Sequence, residues 1–178
     1  MQRQPLPKMV EARKFATAGC EVSAAVPVSA LPRFVEGLAT DSGVVDVDLQ
    51  FFRDEQGFFR VAGKAVSNVE VFCQRCLEAM PVDLQADFEL AIVWNDEQAK
   101  ALPKSLDPVI LGDEPLNLYD LVQDELILNT PFVNYHPEAD CSVKLAEFNP
   151  EVEQQEGTES QEGGESPFSV LGQLFPKK

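Results

Sequence analysis

The fold is decided by residues 69–94, which read VEVFCQRCLEAMPVDLQADFELAIVW. After the C-x-x-C turn of Cys73 and Cys76, an apolar residue stands at every second position from Val82 to Trp94. The apolar set is Val82, Leu84, Ala86, Phe88, Leu90, Ile92 and Trp94, and the polar set is Asp83, Gln85, Asp87 and Glu89. A period of two residues over this length predicts a long antiparallel strand with one covered face.

The same period occurs before the turn and extends the predicted sheet towards the N-terminus. Strands are predicted over 20–28 and from 44 onward, and the DEQG turn at 54–57 leads to further strands over 59–65 and 68–73. The alternating apolar residues after position 44 are Val45, Val47, Leu49 and Phe51. The sequence therefore predicts an antiparallel meander with a long central strand.

A few helices are expected to cover one face of this sheet, which makes the predicted fold class α+β. They span 10–17, 30–39 with Ser29 as its cap, and a third segment that begins after Asn117. The apolar stripe of this third helix consists of Leu118, Leu121, Val122 and Leu126. Ile127 lies on the opposite side, so we expect the last turn to be buried beneath a second element or against a partner.

Beyond Phe148 the composition changes sharply. Residues 149–165 contain six Glu and no basic residue, which predicts a disordered acidic linker. Residues 166–178, SPFSVLGQLFPKK, predict a short amphipathic motif that docks on a partner or folds back on its own domain. Its apolar face, a candidate partner-binding surface, comprises Phe168, Leu171, Leu174 and Phe175. The predicted organisation is thus an α+β domain over 1–148, the linker and the motif.

The formal net charge of −16 restricts the function classes. Such an acidic protein repels bare nucleic acid, because neutralisation of phosphates by Lys and Arg supplies most non-specific affinity. The first residues lack the apolar core of a secretory signal, and no run approaches the roughly 18 apolar residues that span a bilayer. We therefore expect a cytoplasmic protein that does not cross a membrane.

Two cysteines separated by two residues can aim both sulfurs at one point, and a structural zinc site needs four donors. His136 and Cys141 offer a second pair about 60 residues further along the chain. The metal hypothesis is zinc bound by Cys73, Cys76, His136 and Cys141. Two alternatives stay open: grouped reduced thiols without a metal, and a redox pair, which normally requires a helix after the motif.

Arg75 lies at the tip of the turn, between the two cysteines. It is a candidate contact for a phosphate or an acidic partner, and the alternative is a solvated arginine that screens two thiolates. The sequence contains no phosphate-binding glycine loop, nucleophile elbow or H-E-x-x-H motif. We therefore expect a protein that is not an enzyme.

Three segments resemble those of the bacterial YceD family, the large ribosomal RNA subunit accumulation proteins. They are CQRCLE at 73–78, LVQDELILNTPFVNYHPEADC at 121–141 and SPFSVLGQLFPKK at 166–178. The resemblance implies a role in the synthesis, processing or stability of 23S rRNA, and hence in large-subunit biogenesis. The four Cys and His residues named above match the family's pattern by position, and the resemblance supplies no catalytic residue.

The acidity of the chain limits how such a role would work. The expected partner is a basic large-subunit ribosomal protein or an rRNA-processing factor, with the terminal motif as one contact. The alternative is a zinc knuckle that binds rRNA directly through Arg75 and the basic N-terminal arm of residues 1–14. A thiol-redox protein is the third hypothesis.

Overall fold

The described part of the chain, residues 4–144 of the computed structural model, alternates strands with short helices. In chain order these are β1 (Met9–Val10), α1 (Ala12–Ala18), β2 (Glu21–Pro27), α2 (Pro32–Val35), β3 (Val44–Arg53), β4 (Phe59–Phe72), β5 (Ala79–Val93), α3 (Asp96–Ala101), β6 (Asp107–Ile110), β7 (Leu116–Asn117) and α4 (Leu118–Asn129). Strands and helices alternate irregularly, as in other α+β folds.

The main sheet has five strands in the order β2-β3-β4-β5-β6. The first four pair antiparallel in sequence order, whereas β6 pairs parallel with β5. β1 and β7 form a separate antiparallel pair. The predicted α+β class and antiparallel meander are confirmed, with one parallel strand added at the edge.

The two longest strands, β4 and β5, pair along their whole length and form the hairpin on which the rest of the sheet is built. The sequence predicts two strands, over 59–65 and 68–73, where the structure has the single strand β4. Odd-numbered residues such as Val61, Ala65 and Val69 are buried along all of β4. Since no residue interrupts this period, the strand continues through the segment where a break was expected.

The helices pack on the face of the sheet that carries Val47, Phe51, Val61 and Leu84, and together they bury it. The predicted start of α4 is confirmed, because the Asn117 side chain accepts a hydrogen bond from the backbone N–H of Tyr119. Its predicted stripe is buried, namely Leu118, Leu121, Val122 and Leu126.

The last turn of α4 is not buried beneath another element of residues 4–144, and burial against a partner stays a prediction. Ile127 and Leu128 are exposed, Leu128 by 77% of its surface, and no element in residues 4–144 covers them. A large apolar side chain left open in this way is typical of a surface that contacts another molecule.

The second predicted helix is wrong in extent. Instead of 30–39, α2 comprises only Pro32–Val35 after a 3-10 turn at Val28–Ala30, and Ser29 does not cap it. A proline at the first position and Gly37 soon after leave few residues that favour a helix. Its predicted apolar residues Leu31, Phe34 and Leu38 are nevertheless buried in the core.

Two elements, α3 and β6, lie between the predicted long strand and the predicted third helix, where neither was predicted. α3 has a recognisable start, because the Asn95 side chain accepts a hydrogen bond from the Gln98 N–H, and Asp96 and Glu97 follow in the first turn. β6 has only four residues and includes Pro108, so its sequence carries little strand signal.

The predicted linker (149–165) and terminal motif (166–178), with Phe168, Leu171, Leu174 and Phe175, lie outside the described residues. Their structure and the boundary at 148 stay predictions. Among the helices of residues 4–144, none has the length and apolar character that crossing a bilayer requires.

The packing of β4 on β5 depends on the absence of a side chain at Gly63. A Cβ atom there would meet the Phe88 ring and would lie 2.8 Å from Leu49. We expect Gly63→Val to displace that ring and to lower the free energy of unfolding by about 1–3 kcal/mol, because it overpacks the sheet face. Urea denaturation measures the change.

The matched control is Lys64→Val, which adds the same side chain one residue later on the exposed face. Its free energy of unfolding should stay within about 0.5 kcal/mol of the parent value. If both variants lose the same free energy of unfolding, the contact with Phe88 does not limit the size of the side chain at position 63.

Candidate metal centre

The hairpin between β4 and β5 closes in a turn that we call the knuckle, residues 73–78. The Cys73 N–H donates a hydrogen bond to the Glu78 carbonyl oxygen at 2.9 Å, and the Leu77 N–H donates one to the Cys73 carbonyl oxygen at 2.8 Å. These bonds close the turn between the two strands. The turn forces Leu77 into the left-handed region, with φ of 62°.

The chain returns to this turn after α4, through a loop over 131–141. The Gln74 N–H donates a hydrogen bond to the Asn134 carbonyl oxygen at 2.8 Å. The Gln74 side chain donates another to the Phe132 carbonyl oxygen at 2.9 Å. The loop is therefore attached to the knuckle through its backbone, which makes the attachment independent of most of its side chains.

This attachment brings the four predicted ligands together. The sulfurs of Cys73, Cys76 and Cys141 and a ring nitrogen of His136 all lie within 4.8 Å of one another. The Cys76 sulfur is 3.3 Å from Nδ1 of His136. Cys73 and Cys141 are buried, and the other two are half-buried. Cys20 is half-buried and is not a member of the group.

The surroundings of Cys73 favour the thiolate. Burial raises the pKa of its thiol, but hydrogen bonds from the backbone of Cys76, His136 and Arg75 outweigh burial and lower the pKa to about 5. The His136 N–H lies 3.5 Å from the Cys73 sulfur. The sulfur is thus held in the form that binds metal ions.

The Cys73 sulfur also changes the pKa of His136. Its hydrogen bond with Cys73 raises the pKa of the imidazole, burial opposes that shift, and a backbone hydrogen bond at Ala79 adds to it. A histidine that binds a metal through one ring nitrogen commonly donates from the other to a backbone carbonyl or a carboxylate. The arrangement around His136 fits this pattern.

Arg75 turns towards the cluster. Its Nε–H donates a hydrogen bond to the Cys141 sulfur at 3.0 Å, and an Nη atom donates to the His136 carbonyl oxygen at 3.1 Å. The bond to Cys141 raises the pKa of the guanidinium. The guanidinium also lies over the Tyr135 ring, 5.9 Å from its centroid. The arginine therefore stabilises negative sulfur, and a contact with a partner stays a prediction.

Three thiols and one imidazole form a donor set that could hold a metal ion. The lowered pKa of Cys73 would also suit a redox pair. However, the motif is followed by the strand β5 instead of a helix, and Cys73 is fully buried. Both features disfavour thiol–disulfide exchange, which requires an accessible thiolate.

Large apolar side chains surround the cluster on the outside, and sequence reasoning missed them. We call Leu77, Phe132, Val133 and Tyr135 the knuckle surface. Leu77 is 73% exposed, Phe132 93% and Tyr135 53%, and Val133 is also exposed. The signal that could have revealed them is the run of apolar residues after α4, which no amphipathic period explains.

The two hydrogen bonds of Arg75 should determine how firmly the 131–141 loop is held. Arg75→Lys keeps the charge, but a single ammonium cannot replace both bonds. Because charge-assisted hydrogen bonds each contribute about 1.5–3 kcal/mol, we expect amide hydrogen exchange in this loop to accelerate by at least about tenfold. Mass spectrometry of peptides from the loop measures the exchange.

The control is Arg53→Lys, since Arg53 donates a comparable bond to the Gly57 carbonyl oxygen in another turn. That variant should leave exchange over 131–141 unchanged. Identical exchange in the Arg75 variant and the parent would mean that the arginine does not hold the loop.

Comparison with known proteins shows which family the chain belongs to. The sequence model of a family described as "Large ribosomal RNA subunit accumulation protein YceD" matches residues 61–175. A protein of Haemophilus influenzae with the same description is 30% identical over 178 residues, which covers 99% of this chain and 100% of the relative. No solved structure matches the chain. The chain belongs to the YceD family.

Proposed function

We propose that this protein supports the accumulation of 23S rRNA as a cytoplasmic, non-enzymatic factor in large-subunit biogenesis. The observation that carries the proposal is similarity along the whole chain to a protein named for large ribosomal RNA subunit accumulation. The proposed mode of action is binding of a ribosomal protein or an rRNA-processing factor.

Zinc is the metal that we propose for the cluster of Cys73, Cys76, His136 and Cys141. Tetrahedral zinc, with sulfur at about 2.3 Å and nitrogen at about 2.0–2.1 Å, places its ligand atoms about 3.5–3.8 Å apart. The 3.3 Å between Cys76 and His136 and the 4.8 Å limit for the whole group lie close to these values. Small side-chain movements would suffice to bind the ion.

The proposed role of the zinc is structural. All four positions are filled by protein donors, whereas catalytic zinc keeps a position open for water or substrate. The ion would fasten the 131–141 loop to the knuckle and so fix the knuckle surface. This supports a binding function and not catalysis.

A basic protein is the proposed partner because the chain carries a net charge of −16. Opposite charge accelerates encounter, and ribosomal proteins and many rRNA-binding factors are rich in Lys and Arg. Exposed apolar residues on the knuckle surface would then provide the close contact. The terminal motif, with Phe168, Leu171, Leu174 and Phe175, is proposed as a second contact.

Leu77 supports the knuckle surface as a place of contact. A leucine in the left-handed region is less stable than glycine there by about 1 kcal/mol. Its side chain is 73% exposed, so packing against other residues of 4–144 offsets little of this backbone strain. A strained, exposed apolar residue is typical of a binding site.

Direct binding of single-stranded rRNA is a second candidate, favoured by the exposed rings of Phe132 and Tyr135. Aromatic rings can stack on unpaired bases. Because the net charge is −16 and Arg75 donates its hydrogen bonds to Cys141 and the His136 carbonyl oxygen, a protein partner is preferred.

Zinc content tests the metal directly. Protein purified without chelator should contain about one zinc ion per chain by elemental analysis. Cys141→Ser should lose it, because three donors bind zinc far more weakly than four. Far-UV circular dichroism should stay that of a folded sheet, since the core does not include the cluster.

Cys20→Ser is the matched control, because Cys20 is a free thiol outside the group. It should keep its zinc. Zinc far below one ion per chain in the parent protein, or equal loss in both variants, would refute the metal proposal.

Leu77 allows function and stability to be separated. In cells depleted of the parent protein, we expect Leu77→Gly and Leu77→Ala both to restore mature 23S rRNA less well than the parent. Leu77→Gly should nevertheless be about 1 kcal/mol more stable than Leu77→Ala, because glycine relieves the positive φ. Northern blots and thermal denaturation provide the two measurements.

Val44→Ala removes an exposed apolar side chain from the sheet and should restore the rRNA fully. Full restoration by both Leu77 variants would exclude Leu77 from the partner contact. Unchanged 23S rRNA after depletion of the parent would overturn the proposed function itself.

A further inference from the structure

A cleft with a volume of about 810 Å³ lies between β5, β6 and α4. Its apolar lining includes Leu90, Val109 and Leu121. Leu90 and Val109 pack against the core but stay only partly buried. Since no helix of residues 4–144 closes this end of the covered sheet face, apolar surface remains open to a ligand. Its volume is that of ordinary ligand sites.

Charged residues of a single sign surround this apolar floor. Asp107, Glu114 and Glu125 line the cleft, and none forms an ion pair with another residue in the described range 4–144. Asp124 and Glu89 also line it, and these two pair with Arg33 and Arg60. Among residues 4–144, the lining includes neither Lys nor Arg.

Repulsion between these carboxylates is visible at Glu125. Burial raises the pKa of its carboxyl group, and the charges of Asp124 and Asp107 raise it further. A cation placed among these groups would relieve the repulsion, and the relief is larger in a partly dehydrated cleft than in water.

We propose that this cleft binds a segment of a partner protein that carries both Lys or Arg and apolar residues. The apolar side chains lie on the floor formed by Leu90, Val109 and Leu121, and the cations contact Asp107, Glu114 and Glu125. The inference deepens the proposed function, because it names a second surface and the chemistry of the partner segment. It rests on that function only for the identity of the partner.

The apolar floor and the acidic residues of the cleft favour this ligand over other candidate ligands. RNA would bring phosphates to a surface of carboxylates. A polyamine would satisfy the charge but leave the apolar floor uncovered. The chain's own residues 149–165 contain six Glu and no basic residue, so the cleft repels them. Residues 166–178 carry apolar residues together with Lys177 and Lys178 and are the competing occupant, so a chain that ends at 165 and binds the test peptide more tightly than the full chain would overturn the partner in favour of this segment. A segment that is both basic and apolar satisfies the two features together.

The test uses the full-length protein and a fluorescent peptide of repeating Leu-Leu-Lys-Lys units at physiological ionic strength. Fluorescence anisotropy should show saturable binding that Asp107→Asn/Glu125→Gln weakens by at least about tenfold. Both substitutions remove repulsion, so the variant should be at least as stable as the parent. Methyl signals of Leu90, Val109 and Leu121 should shift in NMR spectra as the peptide is added.

The matched control is Glu36→Gln/Glu55→Gln, which removes the same charge from exposed positions outside the cleft. It should bind the peptide as the parent does, and a Leu-Leu-Glu-Glu peptide should not bind. If both double variants bind the peptide equally weakly, the loss of affinity comes from overall charge and the proposed site is wrong. The methyl signals of Leu90, Val109 and Leu121 should respond to the peptide and not to other ligands. If spermine or an rRNA oligonucleotide shifts these signals and the peptide does not, the proposed ligand is wrong.

This outcome is independent of the 23S rRNA measurement. Loss of peptide binding with normal dependence of 23S rRNA on the protein would reject the cleft alone. Peptide binding without any effect of depletion on the rRNA would reject the proposed function and leave the cleft in place.

Discussion

The candidate metal centre depends on one contact between distant parts of the chain, the attachment of the 131–141 loop to the knuckle. Hydrogen bonds from the backbone and side chain of Gln74 to carbonyl oxygens of the loop hold the two segments together, and they bring three sulfurs and one imidazole within 4.8 Å. Negative charge on buried sulfur must be compensated, because an isolated charge in a poorly hydrated site is strongly unfavourable. Arg75 and the backbone N–H groups compensate part of it, and a bound cation would compensate the rest.

The remainder of the domain positions the two halves of this contact. The long hairpin of β4 and β5 carries the knuckle at its tip, on a sheet with its own buried core. α4 packs on that sheet through Leu118, Leu121, Val122 and Leu126 and directs the loop back to the hairpin. The cluster is therefore a local fastening on an already folded domain, and this separates it from small zinc fingers, which need the metal to fold.

The sequence predicted those elements whose signals are confined to neighbouring residues. The alternation after Pro81 predicted β5, and the position of Asn117 predicted the start of α4, because both signals are confined to a few neighbouring residues. α2 was overestimated, since apolar spacing alone does not show that Pro32 and Gly37 restrict the helix. The grouping of four Cys and His residues was predictable from residue type, whereas the inward turn of Arg75 and the exposed apolar residues depend on contacts between distant segments.

The central claim is that a metal ion joins the loop to the knuckle through three sulfurs and one nitrogen. Zinc K-edge X-ray absorption on the full-length protein, purified without chelator, tests this claim most directly. We expect three sulfurs at about 2.3 Å and one nitrogen at about 2.0 Å around the ion. A shell dominated by oxygen or nitrogen, or two sulfurs instead of three, would contradict it, because the loop cysteine would then not bind the ion.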